Sequence, residues 1–363
     1  MSGGRRAASL GLSLRRVTTP DGMSMRYADT ASSAADTRKP LVVFLHGWPE
    51  SWFSWRYQLA AVAAAGYRGI APDMRGYGGS LPTPDVGDVG QYGLGTRTDD
   101  VLALLDHLGA RRAALVAHDH GAHTAWNVVR LAPHRFTCYT ALSVPLAKPT
   151  SGPPLAYLRS IFGDETDVAA DPAFFYQLHH CLPSAAASYE SSTAAALRSL
   201  FADKASLRGA APAPIDSPSL YVDGVAEPIW RRTKQPATPP SWMSDDEFSF
   251  FVEEFERSGW SGGLMWYAVQ DADWRDYPNL RTAEGSKVRL PCLFLAGDKD
   301  MVVKMMGGAK KIRSTLEEHC VAGMKMRIVP GAGHWIQQEC PDVINTELLS
   351  FLKVHTPGGE AKL

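Results

Sequence analysis

The residue whose type and setting most invite chemistry is Asp119, in the stretch Ala113–Trp126, AALVAHDHGAHTAW. Ala113 to Ala117 form an apolar run long enough for a buried strand. The chain then turns through His118-Asp119-His120-Gly121, and Ala122, Trp126, Val129 and Leu131 sit among polar residues in a helix-like segment that stops at Pro133. Strand, tight turn and helix, with small residues two before and two after the central one, is the pattern of a nucleophile elbow. The small residues have a steric task, because the central residue must take a strained backbone conformation while the flanking chain comes too close for side chains. A central serine suits attack on a carbonyl. A central carboxylate suits displacement at saturated carbon and leaves an alkyl ester on the protein. Read by itself, Asp119 serves equally well as the cap of a helix starting near Gly121.

Forming and then hydrolysing such an ester requires a base, a group to orient it, an oxyanion hole and an acid for the leaving oxygen. His334 lies in Gly331-Ala332-Gly333-His334-Trp335, just after a strand ending near Val329, where a His is placed for general-base work. Asp298 and Asp300, in Ala296-Gly297-Asp298-Lys299-Asp300, follow the preceding strand, and either can hold the His ring in the useful tautomer. The order Asp…Asp…His along the chain matches the nucleophile, acid and His order of α/β-hydrolases. His46-Gly47-Trp48-Pro49 follows the first long apolar strand, so the backbone N–H groups of Trp48 and His120 are the candidate oxyanion hole.

Repeated strand and helix signals supply the frame that must position these groups. Leu12–Thr18 and Met23–Tyr27, joined by Thr19-Pro20-Asp21-Gly22, read as a hairpin. Leu41–Leu45, Tyr67–Pro72, Ala113–Ala117, Cys138–Val144, Leu290–Ala296 and Met324–Val329 read as strands, the continuous apolar runs being those expected when both faces are covered. Helices are expected over Trp55–Ala65, from a Thr98 cap to Gly109, over Met305–His319 and over Val343–Leu352. Repeated βα units predict a mostly parallel sheet with helices on both faces, an α/β fold. The alternation breaks after Pro145. The expectation is therefore a core of residues 1–145 plus 286–363, with 146–285 an inserted, mainly helical lid containing an irregular Pro/Ala-rich stretch, Ala210 to Pro240. The Gly-rich loop Arg75-Gly76-Tyr77-Gly78-Gly79-Ser80 does not have the spacing of a dinucleotide site.

The 363 residues are 45% hydrophobic and 21% charged with net charge −1, so neither nucleic acid nor an anionic membrane is an expected partner. No apolar run approaches the roughly 20 residues of a membrane span. Five cysteines, Cys138, Cys181, Cys292, Cys320 and Cys340, are odd in number and lack CxxC spacing, which predicts a reducing compartment without disulfides or a zinc site. The Arg- and Ser-rich first sixteen residues faintly resemble a transit peptide, although Leu12 and Leu14 already alternate like the start of a strand.

Taken together, HGWPESWFSWRYQL, APDMRGYGGS, the Asp119 elbow, AGDKDMVV and GAGHW resemble epoxide hydrolases of the α/β-hydrolase family, over nearly the whole chain. The resemblance implies hydrolysis of a small hydrophobic epoxide to a vicinal diol, with no metal and no cofactor. It implies that Asp300 rather than Asp298 is the triad acid. It also implies two tyrosines that donate to the epoxide oxygen: AFFYQL is similar to one such segment and GLMWY to the other, which selects Tyr176 and Tyr267. His46, Pro49, Trp266 and Trp335 are expected to line the pocket. Two positions depart from the family pattern, Ala117 where Gly is usual and His120 where Trp is usual, the second expected to reshape the pocket floor. The expected match is to members without the N-terminal phosphatase domain that some animal relatives carry.

Two rivals follow from the same residues. A haloalkane or haloacid dehalogenase shares the Asp nucleophile but needs halide donors in place of the tyrosines, and a non-catalytic ligand receptor would not need Asp119, Asp300 and His334 together. The last three residues, Ala361-Lys362-Leu363, resemble the peroxisomal tripeptide and follow a Pro/Gly tail. The expectation is a peroxisomal location, compatible with lipid epoxides, or else the cytoplasm, and an N-terminal fluorescent fusion with and without the tripeptide separates the two.

Overall fold

The structure, a computed structural model, describes residues 3–81 and 87–356. The proposed targeting tripeptide lies outside the described residues. The strands are β1 (Ser13–Thr18), β2 (Ser24–Asp29), β3 (Leu41–Leu45), β4 (Arg68–Pro72), β5 (Ala113–His118), β6 (Phe136–Leu142), β7 (Tyr221–Val222), β8 (Val225–Ala226), β9 (Cys292–Gly297) and β10 (Met324–Val329). Eight of them form one sheet in the order β1-β2-β4-β3-β5-β6-β9-β10. The β1–β2 and β2–β4 pairs are antiparallel, and every pair from β4 to β10 is parallel. Every residue of β3, β5 and β9 is buried, as continuous apolar runs covered on both faces require.

Parallel register has a functional consequence, because it brings the carboxyl ends of successive strands to one edge of the sheet. Ala117 stands between Leu45 and Ala141. The loops that follow β3, β5, β9 and β10 therefore emerge together, and they hold Trp48, Asp119, Asp300 and His334. Residues 146–285 intervene between β6 and β9 and add no strand to this sheet. They form helices, among them Tyr176–His180, Asp245–Ser258, Ser261–Ala268 and Gln270–Asp276, and the small ribbon of β7 and β8 within the irregular Pro/Ala-rich stretch. The helix Asp245–Ser258 starts with a full capping box, Ser244 and Glu247 each satisfying the other's backbone N–H.

Several sequence expectations shift. Thr98 does not cap a helix: the helix runs Leu94–His107 from Gly93, and Thr98 lies inside it with its hydroxyl donating to the Leu94 carbonyl at 2.7 Å. The expected helix Met305–His319 is two helices, Met301–Met305 and Gly308–His319, parted at Gly307, whose φ of 85° a continuous helix does not accommodate. The Arg-rich start forms the helix Gly3–Ser9, with Ala7 buried and Arg6 donating to the Asp246 carbonyl at 2.7 Å, so this stretch is part of the packed fold. Among the described residues no helix is long and apolar enough to cross a membrane.

Candidate active site

Asp119 is the first residue of the helix Asp119–Leu131 and has φ 50°, in the left-handed region that costs a non-glycine residue of order 1–3 kcal/mol. Its neighbours explain how that strain is housed. A Cβ on Gly121 would lie 2.4 Å from the Leu45 carbonyl oxygen, and one on Gly47 would lie 2.4 Å from the Asp119 Cβ. Both positions must therefore be glycine for the elbow to sit against the end of β3. The carboxylate does not cap its own helix. Its Oδ1 accepts the Trp48 N–H at 2.9 Å, and Oδ2 lies 3.3 Å from His334 Nε2.

The other ring nitrogen, His334 Nδ1, is 3.0 Å from each oxygen of the buried Asp300. Asp300 is therefore the acid the geometry brings to His334. Asp298 instead accepts the Gly331 N–H at 2.8 Å and holds the loop. Burial opposes charge on His334, but the carboxylates of Asp300 and Asp119 outweigh it and raise its pKa well above the usual imidazole value. Burial likewise opposes charge on Asp119, yet the His334 hydrogen bond and the surrounding imidazoles hold it far below the usual carboxylate range.

Tyr176 and Tyr267 face each other with ring centroids 6.0 Å apart. Burial pushes the Tyr176 phenol up to about 12, although Gln177 donates to its oxygen at 3.0 Å. Burial and then the Asp119 charge push Tyr267 well above its ordinary value. Both phenols keep their protons across the neutral range. The helix Ser261–Ala268 that carries Tyr267 sits directly on the Gly-rich loop. A Cβ on Gly76 would lie 2.6 Å from the Gly262 backbone, and one on Gly262 would lie 2.5 Å from Gly76. Trp266 adds a bond from Nε1 to the Arg75 carbonyl at 3.0 Å. Gly76 thus serves backbone-to-backbone packing, while Gly78 and Gly79 leave room for the side chains of Asp73 and Arg26.

Asp119, Asp300, His334, Tyr176, Tyr267, Trp48 and Trp335 all line one cavity of about 710 Å3. Three expected pocket residues do not line it. His46 is buried behind the loop, its Nε2 accepting the Met74 N–H at 2.9 Å while Nδ1 meets the Gly47 carbonyl at 2.9 Å. Trp266 is turned toward Arg75, and Pro49, joined to Trp48 by a cis peptide bond, supplies no wall. His120 does not form the floor either; its ring packs edge-on against Tyr267 at 4.2 Å. Its amide lies in the first helical turn beside Asp119, where N–H groups have no partner within the helix.

The sequence reading missed the groups that fix the His334 loop. His118 Nε2 meets the His334 carbonyl at 2.9 Å and Ser143 Oγ donates to it at 2.6 Å. Glu339 accepts the Gly333 N–H at 2.6 Å and the Trp335 N–H at 2.9 Å, so the amides on either side of His334 share one carboxylate. His118 Nδ1 is 2.6 Å from the fully buried Glu50, which also accepts from Gly47 N–H and Gln337. Burial would raise Glu50, but the His118 ring beside it holds its pKa below the ordinary value. Only Glu50 carried a sequence signal, as the acid following HGWP.

Residues 40–341 match the family described as alpha/beta hydrolase fold. Over 352 residues the chain is 34% identical to epoxide hydrolase A of Mycobacterium tuberculosis, covering 94% of this chain and 98% of that one. It is also 34% identical to epoxide hydrolase B of the same organism, covering 90% and 95%. The crystal structure of epoxide hydrolase A from Mycobacterium thermoresistibile superposes with a TM-score of 0.79 at 32% identity, covering 94% of this chain and 98% of that one. An epoxide hydrolase from Vigna radiata superposes at 0.78 with 29% identity, covering 94% and 98%.

Proposed function

Because this chain belongs to the epoxide hydrolases of the α/β-hydrolase fold, we propose that it opens epoxides through a covalent ester on Asp119. The reaction is hydrolysis of an epoxide to a vicinal diol. The observation that supports the covalent route is the two-sided setting of Asp119, with one oxygen held by the Trp48 N–H and the other paired only with His334 Nε2 at 3.3 Å. Tyr176 and Tyr267 donate to the oxirane oxygen as it becomes an alkoxide, and Oδ2 attacks one ring carbon. A water deprotonated by His334 then attacks the ester carbonyl. The Trp48 and His120 amides stabilise the tetrahedral oxyanion on the oxygen that Trp48 already holds. Residues 146–285 act as the lid that supplies both tyrosines.

The raised pKa of His334 fits this order of events. In the resting site its charge is stabilised by two carboxylates. Alkylation turns Asp119 into a neutral ester and removes one of them, so the pKa of His334 falls when a neutral base is needed. Asp300 remains to orient the ring.

A single turnover with excess enzyme in heavy-oxygen water tests the route. The first diol should carry no heavy oxygen, because its new hydroxyl comes from Asp119, and the label should appear in the Asp119 carboxylate. A labelled first diol would mean direct attack by water and would sink the ester.

Glu339 gives a second test, since it holds both amides around His334 at the cavity wall and takes no part in either bond-making step. Glu339→Gln leaves one oxygen for two N–H groups and sets an NH2 against the other. An unsatisfied buried group costs about 1–3 kcal/mol, or roughly tenfold to a hundredfold in rate if felt in the second step. The expected result is a fall in kcat with ester accumulating and alkylation unchanged. Equal slowing of both steps would mean that Glu339 acts on general stability instead.

A further inference from the structure

A second cavity, of about 150 Å3, lies where the inserted segment leaves and rejoins the body, against the helix Asp119–Leu131. It shares no lining residue with the large cavity. Two of the residues that line it are guanidinium groups, Arg130 and Arg281, and among the described residues no carboxylate pairs with either. Arg130 Nε and Nη1 donate to the carbonyls of Trp126 and Leu280 at 3.0 and 3.1 Å, and Nη2 donates to Asn127. That uses three of five N–H donors. Arg281 lies over the Trp274 ring at 3.7 Å and donates to the Trp274 carbonyl.

The other charges around the cavity are already matched. Asp273 accepts the Leu94 N–H at 2.6 Å on one oxygen and Arg97 on the other. Lys148 pairs with Glu318 at 2.8 Å. What remains is positive. Burial lowers Arg130 to about 10, and burial with His120, Arg97 and Arg130 lowers His123, on the same wall, to about 3. Both guanidiniums are half-buried, and a cation drawn partly out of water without a counter-charge is costly. Closure of the helix C-terminus accounts for the bond from Arg130 to Trp126. Arg281 closes the helix Gln270–Asp276 in the same way through the Trp274 carbonyl, but neither closure gives the two guanidiniums that line this void a counter-charge.

We propose that this cavity binds a small oxyanion, a phosphate or carboxylate group held between Arg130 and Arg281. A volume of this size corresponds to roughly five waters at about 30 Å3 each, enough for a phosphate. Guanidinium forks match the oxygens of either group. The bound anion ties the helix that begins at Asp119 to the returning end of the inserted segment. The proposal does not rest on the reading of the active site.

The test is thermal unfolding of the full chain in sodium phosphate, sodium acetate or sodium chloride at equal ionic strength. Phosphate or acetate should raise Tm saturably and chloride should not, since a ligand that binds the folded state alone stabilises it by mass action. A response to phosphate alone identifies a tetrahedral ligand, and a response to acetate alone a carboxylate. Arg130 also ties Leu280 to the helix, so Arg281→Ala is the variant of choice. It should weaken the anion about tenfold or more, the scale of one charge-assisted hydrogen bond, while epoxide turnover without added anion stays unchanged. No saturable rise with either oxyanion, or an undiminished rise in Arg281→Ala, overturns the proposal.

Discussion

His334→Gln is expected to stop the enzyme after one chemical event. Gln can still hydrogen-bond to Asp300, so the loop keeps a polar partner, but it cannot take a proton from water. Loss of a general base costs roughly 100- to 10,000-fold, and here it falls on ester hydrolysis alone. Asp119 retains its Trp48 N–H and both tyrosines remain, so ring opening continues. Intact mass after addition of an epoxide should rise by the mass of the substrate in the variant and return to baseline in the wild type. A variant that stays unmodified while the wild type turns over would show that His334 is needed before the ester forms.

Removal of both phenols is the second large effect. In Tyr176→Phe or Tyr267→Phe one donor remains to meet the developing alkoxide. Loss of one such donor is worth roughly 100- to 1000-fold in kcat. The double variant leaves the alkoxide unsupported in a cavity with Trp48 and Trp335 in its wall, and ring opening should fall below detection, with no ester even in the His334→Gln background. Binding of a diol product analogue should change far less, because the rings remain. Near-normal turnover by the double variant would favour a substrate with a better leaving group than an oxirane oxygen. A haloalkane assay on the same variant would then show halide release.

The elements of the site that could be read from sequence were those fixed by local sterics. Gly121 and Asp119 stand two apart because a strained turn must touch the end of β3, and that constraint is written in adjacent residues. His334 and the pair Asp298 and Asp300 were legible because each follows a strand end in a parallel sheet, but the choice of Asp300 came from the family resemblance alone. Side-chain direction was not. His46 and Trp266 sit inside the recognised motifs, yet their rings turn to the Met74 amide and the Arg75 carbonyl. The clamp around His334 was hidden for a different reason. His118 reaches it across 216 positions of chain and Ser143 across 191, so neither pairing leaves a periodic or local trace. The break at Gly307 failed because an apolar pattern that continues across a glycine does not reveal its φ.

The buried ion pairs that join the body and the inserted segment have one polarity, whereas the exposed Lys148–Glu318 pair runs the other way. Arg26 meets Glu254, Arg56 meets Glu247 at 2.6 Å, and Arg97 meets Asp273, with the cation on the body and the carboxylate on the insertion each time. All three arginines are nearly or fully buried. Arg26 keeps the body's own Asp73 if Glu254 is lost, but Arg56 and Arg97 have no second carboxylate among the described residues. Stranding one partner of a buried pair costs about 3–5 kcal/mol, a large share of the stability of a typical domain. The insertion is therefore not a module that can be transplanted between scaffolds. A graft from a relative must bring acids to positions 247 and 273, or the host must give up Arg56 and Arg97 in the same step. The wall of the chamber that the insertion supplies can therefore be altered without unseating it only where those acid anchors are kept.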